Sequence, residues 1–93
     1  MPPRRPAHDV HVGIAEIAAV CDVKRKTGVQ WHQRRVLPDP CGCRISRDKA
    51  WRLADILDWA PANRRRIRGD VVQRLQAGED IGDLIEQIEA RPA

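Results

Sequence analysis

Two short helical patterns separated by one tight turn, within residues 12–35, constrain this chain more than any other feature. Ile14, Ile17, Ala18 and Cys21 recur at helical spacing, with Val20 alongside, so one face of a first helix is apolar. Ala18 on that inner face lets a second helix approach closely. Asp22 falls where the first helix must stop and the chain turn sharply. Such a position favours a left-handed backbone, best met by Gly and tolerably by Asp or Asn. Val23 is placed to plug the turn.

A second helix is predicted from Lys24 onward, over 24–35. With Trp31 set inward, about 3.6 residues per turn put Lys24, Thr27, Gly28 and Arg35 on or near the inner side. Lys26, Val29 and Gln33 point directly away, flanked by Arg25 and Gln30. The outward face thus joins two cations, two amides and one small apolar residue. Those groups match the edges of base pairs: Arg or Lys to guanine, Gln to adenine, an apolar contact to the thymine methyl. A solvated amphipathic helix is the plainer alternative, but the amides and the turn arrive together with the charge. Arg34 and Arg35 close the helix, either as structural cations at its negative end or as phosphate contacts.

Charge supports a polyanionic partner. The formal net charge is +4. Residues 1–52 hold eleven Lys/Arg and five Asp/Glu, a net of +6; residues 53–93 hold six and eight, a net of −2. The positive field is concentrated where the two helices lie.

The flanks complete a fold. Residues 1–9 contain three prolines and two arginines and are expected to be a disordered arm. Arg4 and Arg5 there are either solvated or track phosphates and a minor groove, as basic arms do. Leu37-Pro38-Asp39-Pro40 stops the second helix, since Pro lacks the donor and constrains its predecessor. Residues 41–52 then form two short strands around Ser46-Arg47-Asp48, with Trp51 returning toward the core. This hairpin, a wing, is tipped by Arg44, Arg47 and Lys49, cations suited to flanking phosphates or the minor groove.

Residues 53–60 make a short helix that Pro61 is expected to end. A further helix follows within residues 64–78, with the stripe Ile67, Val71, Val72 and Leu75, and with Gly78 as its cap. Asp80 is placed to cap a last helix with the stripe Ile81, Leu84, Ile85 and Ile88. The two form an αα-hairpin.

The expected fold is therefore mainly α with a small β-hairpin: a winged helix-turn-helix plus a C-terminal helical hairpin. Residues 1–11 are the flexible basic arm, 12–60 the DNA-binding domain and 61–93 the helical extension. Phe and Tyr are absent, so Trp31, Trp51 and Trp59, from three different elements, supply much of the core. A lone wing domain of ~50 residues is marginal, so the extension either adds core to its own domain or buries its stripe on another subunit. Its acidic face, Glu79, Asp80, Asp83, Glu86 and Glu89, is repelled by DNA and suits the basic arm of a neighbour, in head-to-tail assembly.

GIAEIAAVCDVKRKTGVQW, then LPDP, then AWRLADILDWA, resembles the small winged helix-turn-helix domains of the excisionase and MerR-like superfamily. The likeness covers roughly residues 12–60 and includes AlpA-type regulators, mobile-element excisionases and some phage terminase small subunits. It implies a sequence-specific double-stranded DNA-binding protein, a transcriptional regulator of phage or mobile-element type. The alternatives are an excisionase that bends DNA and assists an integrase, and a terminase-like recognition subunit. The residues expected to meet DNA are Lys24, Arg25, Lys26, Thr27, Val29, Gln30, Gln33 and Arg34, with Arg44, Arg47 and Lys49 on the wing. Three positions depart from the family pattern. Asp22 stands where Gly is frequent, and Lys24 and Lys26 stand where Ser or Thr would cap. Gly28 replaces a branched apolar residue. Gly inside a helix costs about 0.5–1 kcal/mol relative to Ala, so something should press close to Gly28, with Trp51 or Trp59 expected there.

Other chemistries fit less well. Cys41-Gly42-Cys43, with Cys21 and a histidine from His8, His11 or His32, would count four zinc ligands, but lacks the second pair that structural zinc spacing uses. Neither a metal nor another cofactor is expected, and redox sensing by the Cys41/Cys43 pair is disfavoured likewise. No Ser-His-Asp set, phosphate loop or HExxH helix is present, so no catalytic residue is assigned. An enzyme would have to use Cys43 or Ser46 on an exposed hairpin. Three cysteines argue against a disulfide framework and fit a reducing cytoplasm. No apolar run approaches the ~20 residues of a membrane span, and residues 1–9 lack the apolar stretch of a signal peptide.

Overall fold

The computed structural model describes residues 5–38, 44–45 and 48–92. Among these it is mainly helical: α1 (Ile14–Val20), α2 (Arg25–Gln33), α3 (Leu53–Ala62), α4 (Gly69–Gln76) and α5 (Gly82–Glu89). Four two-residue strands form two antiparallel pairs: β1 (His11–Val12) with β4 (Trp51–Arg52), and β2 (Arg44–Ile45) with β3 (Asp48–Lys49). In the second pair Arg44 lies opposite Lys49 and Ile45 opposite Asp48, so the expected hairpin is present. Arg47, Cys41 and Cys43 lie outside the described residues, as do the side chains of Arg44 and Ile45.

The pairing of β1 with β4 has no counterpart in the expected organisation. His11 faces Arg52 and Val12 faces Trp51, with His11 exposed and Val12 fully buried. The stretch 5–11, expected to belong to a flexible arm, is built into the fold. The Arg5 N–H donates to the Gln76 carbonyl at 2.8 Å, and Ala7–Asp9 forms a 3-10 turn against α3. Val10 is buried, and its carbonyl accepts from the Leu53 N–H at 2.8 Å. Val10 and Val12 hold this segment down, because their burial removes apolar area from water at about 25 cal/mol per Å².

The first four helices share one kind of ending. The residue after the C-cap is left-handed, and the next N–H returns to a carbonyl in the last turn. In α1 these are Asp22 (φ 59°) and Val23 N–H to Ala18 O at 2.9 Å; in α2, Arg35 (φ 57°) and Val36 N–H to Trp31 O at 2.8 Å. In α3 they are Arg64 (φ 59°) and Arg65 N–H to Ala60 O at 2.7 Å; in α4, Gly78 (φ 77°) and Glu79 N–H to Arg74 O at 2.9 Å. The left-handed turn expected at Asp22 and the cap at Gly78 are both there. At the other two ends an arginine takes a conformation that Gly would adopt more cheaply, and its charge at the negative end of the helix offsets part of that cost.

Two expected boundaries move. Pro61 lies inside the last turn of α3, which closes beyond it through the Asn63 N–H to Trp59 O and Ala60 O, each at 3.1 Å. One missing donor removes one bond and does not stop a helix about to end. Residues 64–68 are not helical, and α4 starts only at Gly69. The left-handed Arg64 breaks the helical path, and the Arg68 N–H is tied to Val20 O at 2.7 Å. Asp80 stands one residue before the N-cap Ile81 rather than on it, and its carboxylate accepts the Gly82 N–H at 3.1 Å.

One core cluster runs through the chain. Ile17, Val20, Trp31, Trp51, Leu53, Ile56, Trp59, Val71, Ile81 and Ile88 are all buried in it. The stripe of α4 and α5 thus packs in part on its own chain, against α1. Val72, Leu75, Leu84 and Ile85 are only partly buried at the edge of that cluster.

Candidate nucleic-acid interface

The inner side of α2 is fixed first. A Cβ built on Gly28 would lie 3.1 Å from Ile14 Cγ2 and 3.3 Å from Ala18 Cβ. The group pressing on Gly28 is therefore α1, through small Ala18 and the edge of Ile14, and not Trp51 or Trp59 as expected. Trp31 is buried beside Trp59, ring centroids 5.5 Å apart, and the Trp59 indole N–H donates to Val36 O at 2.7 Å. Trp51 meets His32 edge-on at 5.4 Å and donates its indole N–H to Pro38 O at 2.7 Å. The indoles of Trp51 and Trp59 thus each have an acceptor, as an apolar ring with one polar handle requires.

The N-terminus of α2 has no side-chain cap of its own, because its N-cap residue is Lys24. The missing acceptor comes from α5: Glu89 Oε1 accepts the Arg25 N–H at 2.7 Å. A carboxylate here satisfies one of the free N–H groups and faces the positive end of the helix dipole. The Lys24 ammonium donates to the Arg91 carbonyl, so this predicted contact residue is engaged by the chain's own C-terminal segment.

The outward face divides unequally. Arg25, Lys26 and Val29 line a cleft with Ile85 and Glu89 of α5. Thr27 is half-buried. Lys26, Gln33 and Arg34 are exposed and Gln30 is half-buried; none has a side-chain hydrogen bond or ion pair among the described residues. Lys49 on β3 is exposed, with the backbone of Arg44 opposite it. The predicted residues that come together as a stripe without side-chain partners among the described residues are thus Lys26, Gln30, Gln33 and Arg34, while Arg25, Lys26 and Val29 border α5.

Behind the turn sits an ion cluster. Arg91, Arg68 and Arg66 approach the Asp22 carboxylate at 2.8, 3.3 and 3.5 Å. The hydrogen bond from Arg91 holds this carboxyl below its usual range, with the charges of Arg91, Arg68 and Arg66 adding and burial opposing. Arg68 also pairs with Asp70 at 2.8 Å, and Arg74 with Asp83 at 3.0 Å, lowering both carboxyls in turn. Asp83 and Glu89, expected on an outer acidic face for a partner, are therefore used within the chain. Cys21 is buried, and its thiol is pushed up to about 11 by that burial. Among the described residues no group of three or more His, Cys, Asp or Glu is placed to hold a metal ion, and no helix is long and apolar enough to cross a membrane.

Two features of this surface have no counterpart in the sequence-based expectation. One is Glu89, although the absence of a Ser or Thr cap at Lys24 signals that an acceptor must come from elsewhere. The other is the run Arg64-Arg65-Arg66, which was expected to lie within a helix. It lies over the turn, with the Arg65 guanidinium 4.7 Å from the Trp31 ring centre. No protein-family model, curated protein or solved structure matches the chain.

Proposed function

We propose that this chain is a sequence-specific double-stranded DNA-binding protein, a winged helix-turn-helix whose α2 enters the major groove and whose β2–β3 hairpin serves as the wing. One observation carries the reading: among the described residues the stripe of Lys26, Gln30, Gln33 and Arg34 is left unpaired, on a short helix whose opposite side is locked to α1 at Gly28. Two amides between cations provide base-edge recognition within a phosphate-attracting field. Lys49 adds a cation on the hairpin. The role that accompanies the resemblance is regulation of transcription in a phage or mobile element. Engagement of Asp83 and Glu89 within the chain weakens the acidic surface that head-to-tail assembly would use, which favours the regulator over the excisionase.

Selection from a randomised duplex pool tests the reading. Gln30→Ala or Gln33→Ala should relax preference at one base position by about 1–3 kcal/mol, with little change elsewhere in the site. If the wild-type chain selects no sequence, or both variants select the same one, α2 is not the reading element.

A further inference from the structure

Residues 64–68 connect α3 to α4 without helical structure, yet they are pinned at both ends. The Arg65 N–H donates to Ala60 O and the Arg68 N–H to Val20 O, each at 2.7 Å. Three consecutive arginines, Arg64 to Arg66, stand at and around the first of these anchors, all exposed. Arg65 sits over Trp31 with its guanidinium carbon 4.7 Å from the ring centre, a cation–π contact that restrains it. Arg64 and Arg65 have no carboxylate within ion-pair distance among the described residues, and Arg66 has only the far contact to Asp22 at 3.5 Å. Arg68, two positions on, differs: it is held by both Asp22 and Asp70 and serves the fold.

We infer that Arg64, Arg65 and Arg66 form a second phosphate-binding element for duplex DNA, seated on the free edge of α2. This inference rests on the duplex-DNA reading above. Position argues for it. On the α2 wheel, Gly28 stands about 60° to one side of Trp31, while Arg34 and Gln30 stand about 60° and 100° to the other. α1 occupies the Gly28 side. The arginine loop lies against Trp31 and, with Cys21, Asp22 and Val23, walls a shallow cleft along the turn. It therefore borders the edge that carries Gln30 and Arg34, where a bound duplex would bring its backbone. Charge argues for it as well: among the described residues, the ion pairs of Arg64, Arg65, Arg66, Arg68 and Arg91 run only to Asp22 and Asp70. Exposed guanidinium groups in excess of carboxylates, on a pinned loop, suit phosphodiester oxygens, which accept their fork of donors.

Arg64 supplies a test that separates binding from folding. Its backbone is left-handed at φ 59°, so Arg64→Gly removes the cation while relieving strain. Binding of wild type, Arg64→Gly and Arg66→Ala to a short mixed-sequence duplex is measured across a salt series, together with each melting temperature. Each variant should lower the slope of log K against log salt by about one, for all sequences alike. Arg64→Gly should melt no lower than wild type. Unchanged slopes in both variants, with wild type still bound, overturn this inference and leave the α2 reading standing. A wild-type chain that does not bind duplex at all, or that binds an acidic polypeptide in preference to it, overturns both.

Discussion

α5 and the 64–68 loop border α2 on opposite sides, and they use charge in opposite ways. On the α5 side, the charged groups nearest α2 are spent within the chain: Glu89 accepts the Arg25 N–H, and Lys24 donates to the Arg91 carbonyl. On the loop side the arginines outnumber the carboxylates they pair with among the described residues. Asp22 connects the two, since it binds Arg91 beyond α5 as well as Arg66 and Arg68 of the loop. The difference separates a border that holds α2 in place from a border with cations in excess, the one proposed above to meet phosphate. A basic total charge alone would not have made that distinction, because both borders belong to the half of the chain whose net charge is negative.

The most severe way to break the comparison is to remove what the basic border rests on. Trp31 is buried in contact with Trp59 and with the guanidinium of Arg65. Trp31→Ala leaves a large cavity on that side and should cost about 3–5 kcal/mol, read as a lower midpoint in urea denaturation. A loss under about 1 kcal/mol would mean that the core closes over the site, and that the loop does not depend on the ring.

A smaller change cuts the link between the borders. Asp22→Asn keeps a residue that tolerates the left-handed turn and removes the charge shared by three arginines. One of those partners is mostly exposed, so screening limits the expected loss to about 1 kcal/mol at neutral pH. The Asp22 carboxyl is depressed in the folded state, chiefly by the Arg91 hydrogen bond. Its stabilisation is then fully present above the ordinary carboxylate pKa of about 3.9 and disappears as pH falls through the lower folded value. Wild type and variant should differ at neutral pH and converge in acid. Asp70 and Asp83, also depressed, titrate in both proteins and cancel from the difference. A gap that persists unchanged into acid would show that the charge of Asp22 does not hold the borders together.

How much of this was legible follows from the range over which each cause acts. The α1–α2 unit was legible because a helical stripe, one left-handed turn and a restricted set of tolerated residues lie within two dozen positions. At Gly28 the need for close approach could be read, and so could the small Ala18 across from it, but the wheel gives a direction and not a neighbour. Bulk was expected where contact in fact depends on the partner being small. The pairing of β1 with β4 joins two-residue strands far apart in the chain, too short to show a period of two. The arginine loop was mistaken for helix because its break depends on the return of Arg65 to Ala60 across Pro61, which propensity does not encode. Glu89 lies 64 positions from the backbone it caps. The exposed stripe of the candidate site was thus visible in sequence, while the two borders that narrow it came from tertiary contacts.

The gentlest change sharpens the comparison from the acidic side. Glu89→Gln retains an acceptor for the Arg25 N–H and removes one negative charge from the N-terminus of α2. Stability should fall by about 0.3–1 kcal/mol, the size of a carboxylate's interaction with a helix dipole. Duplex affinity should rise about threefold at low salt, since the same carboxylate repels an approaching phosphate, and the gain should fade as added salt shortens the screening length. Fluorescence anisotropy with a labelled duplex at two salt concentrations reads both effects. A variant that loses stability but gains no affinity would place Glu89 outside the path of the duplex, leaving α5 a purely structural neighbour. If affinity rises here while Arg64→Gly lowers it, the two borders act on one ligand with opposite sign, and that ligand lies along the stripe between them.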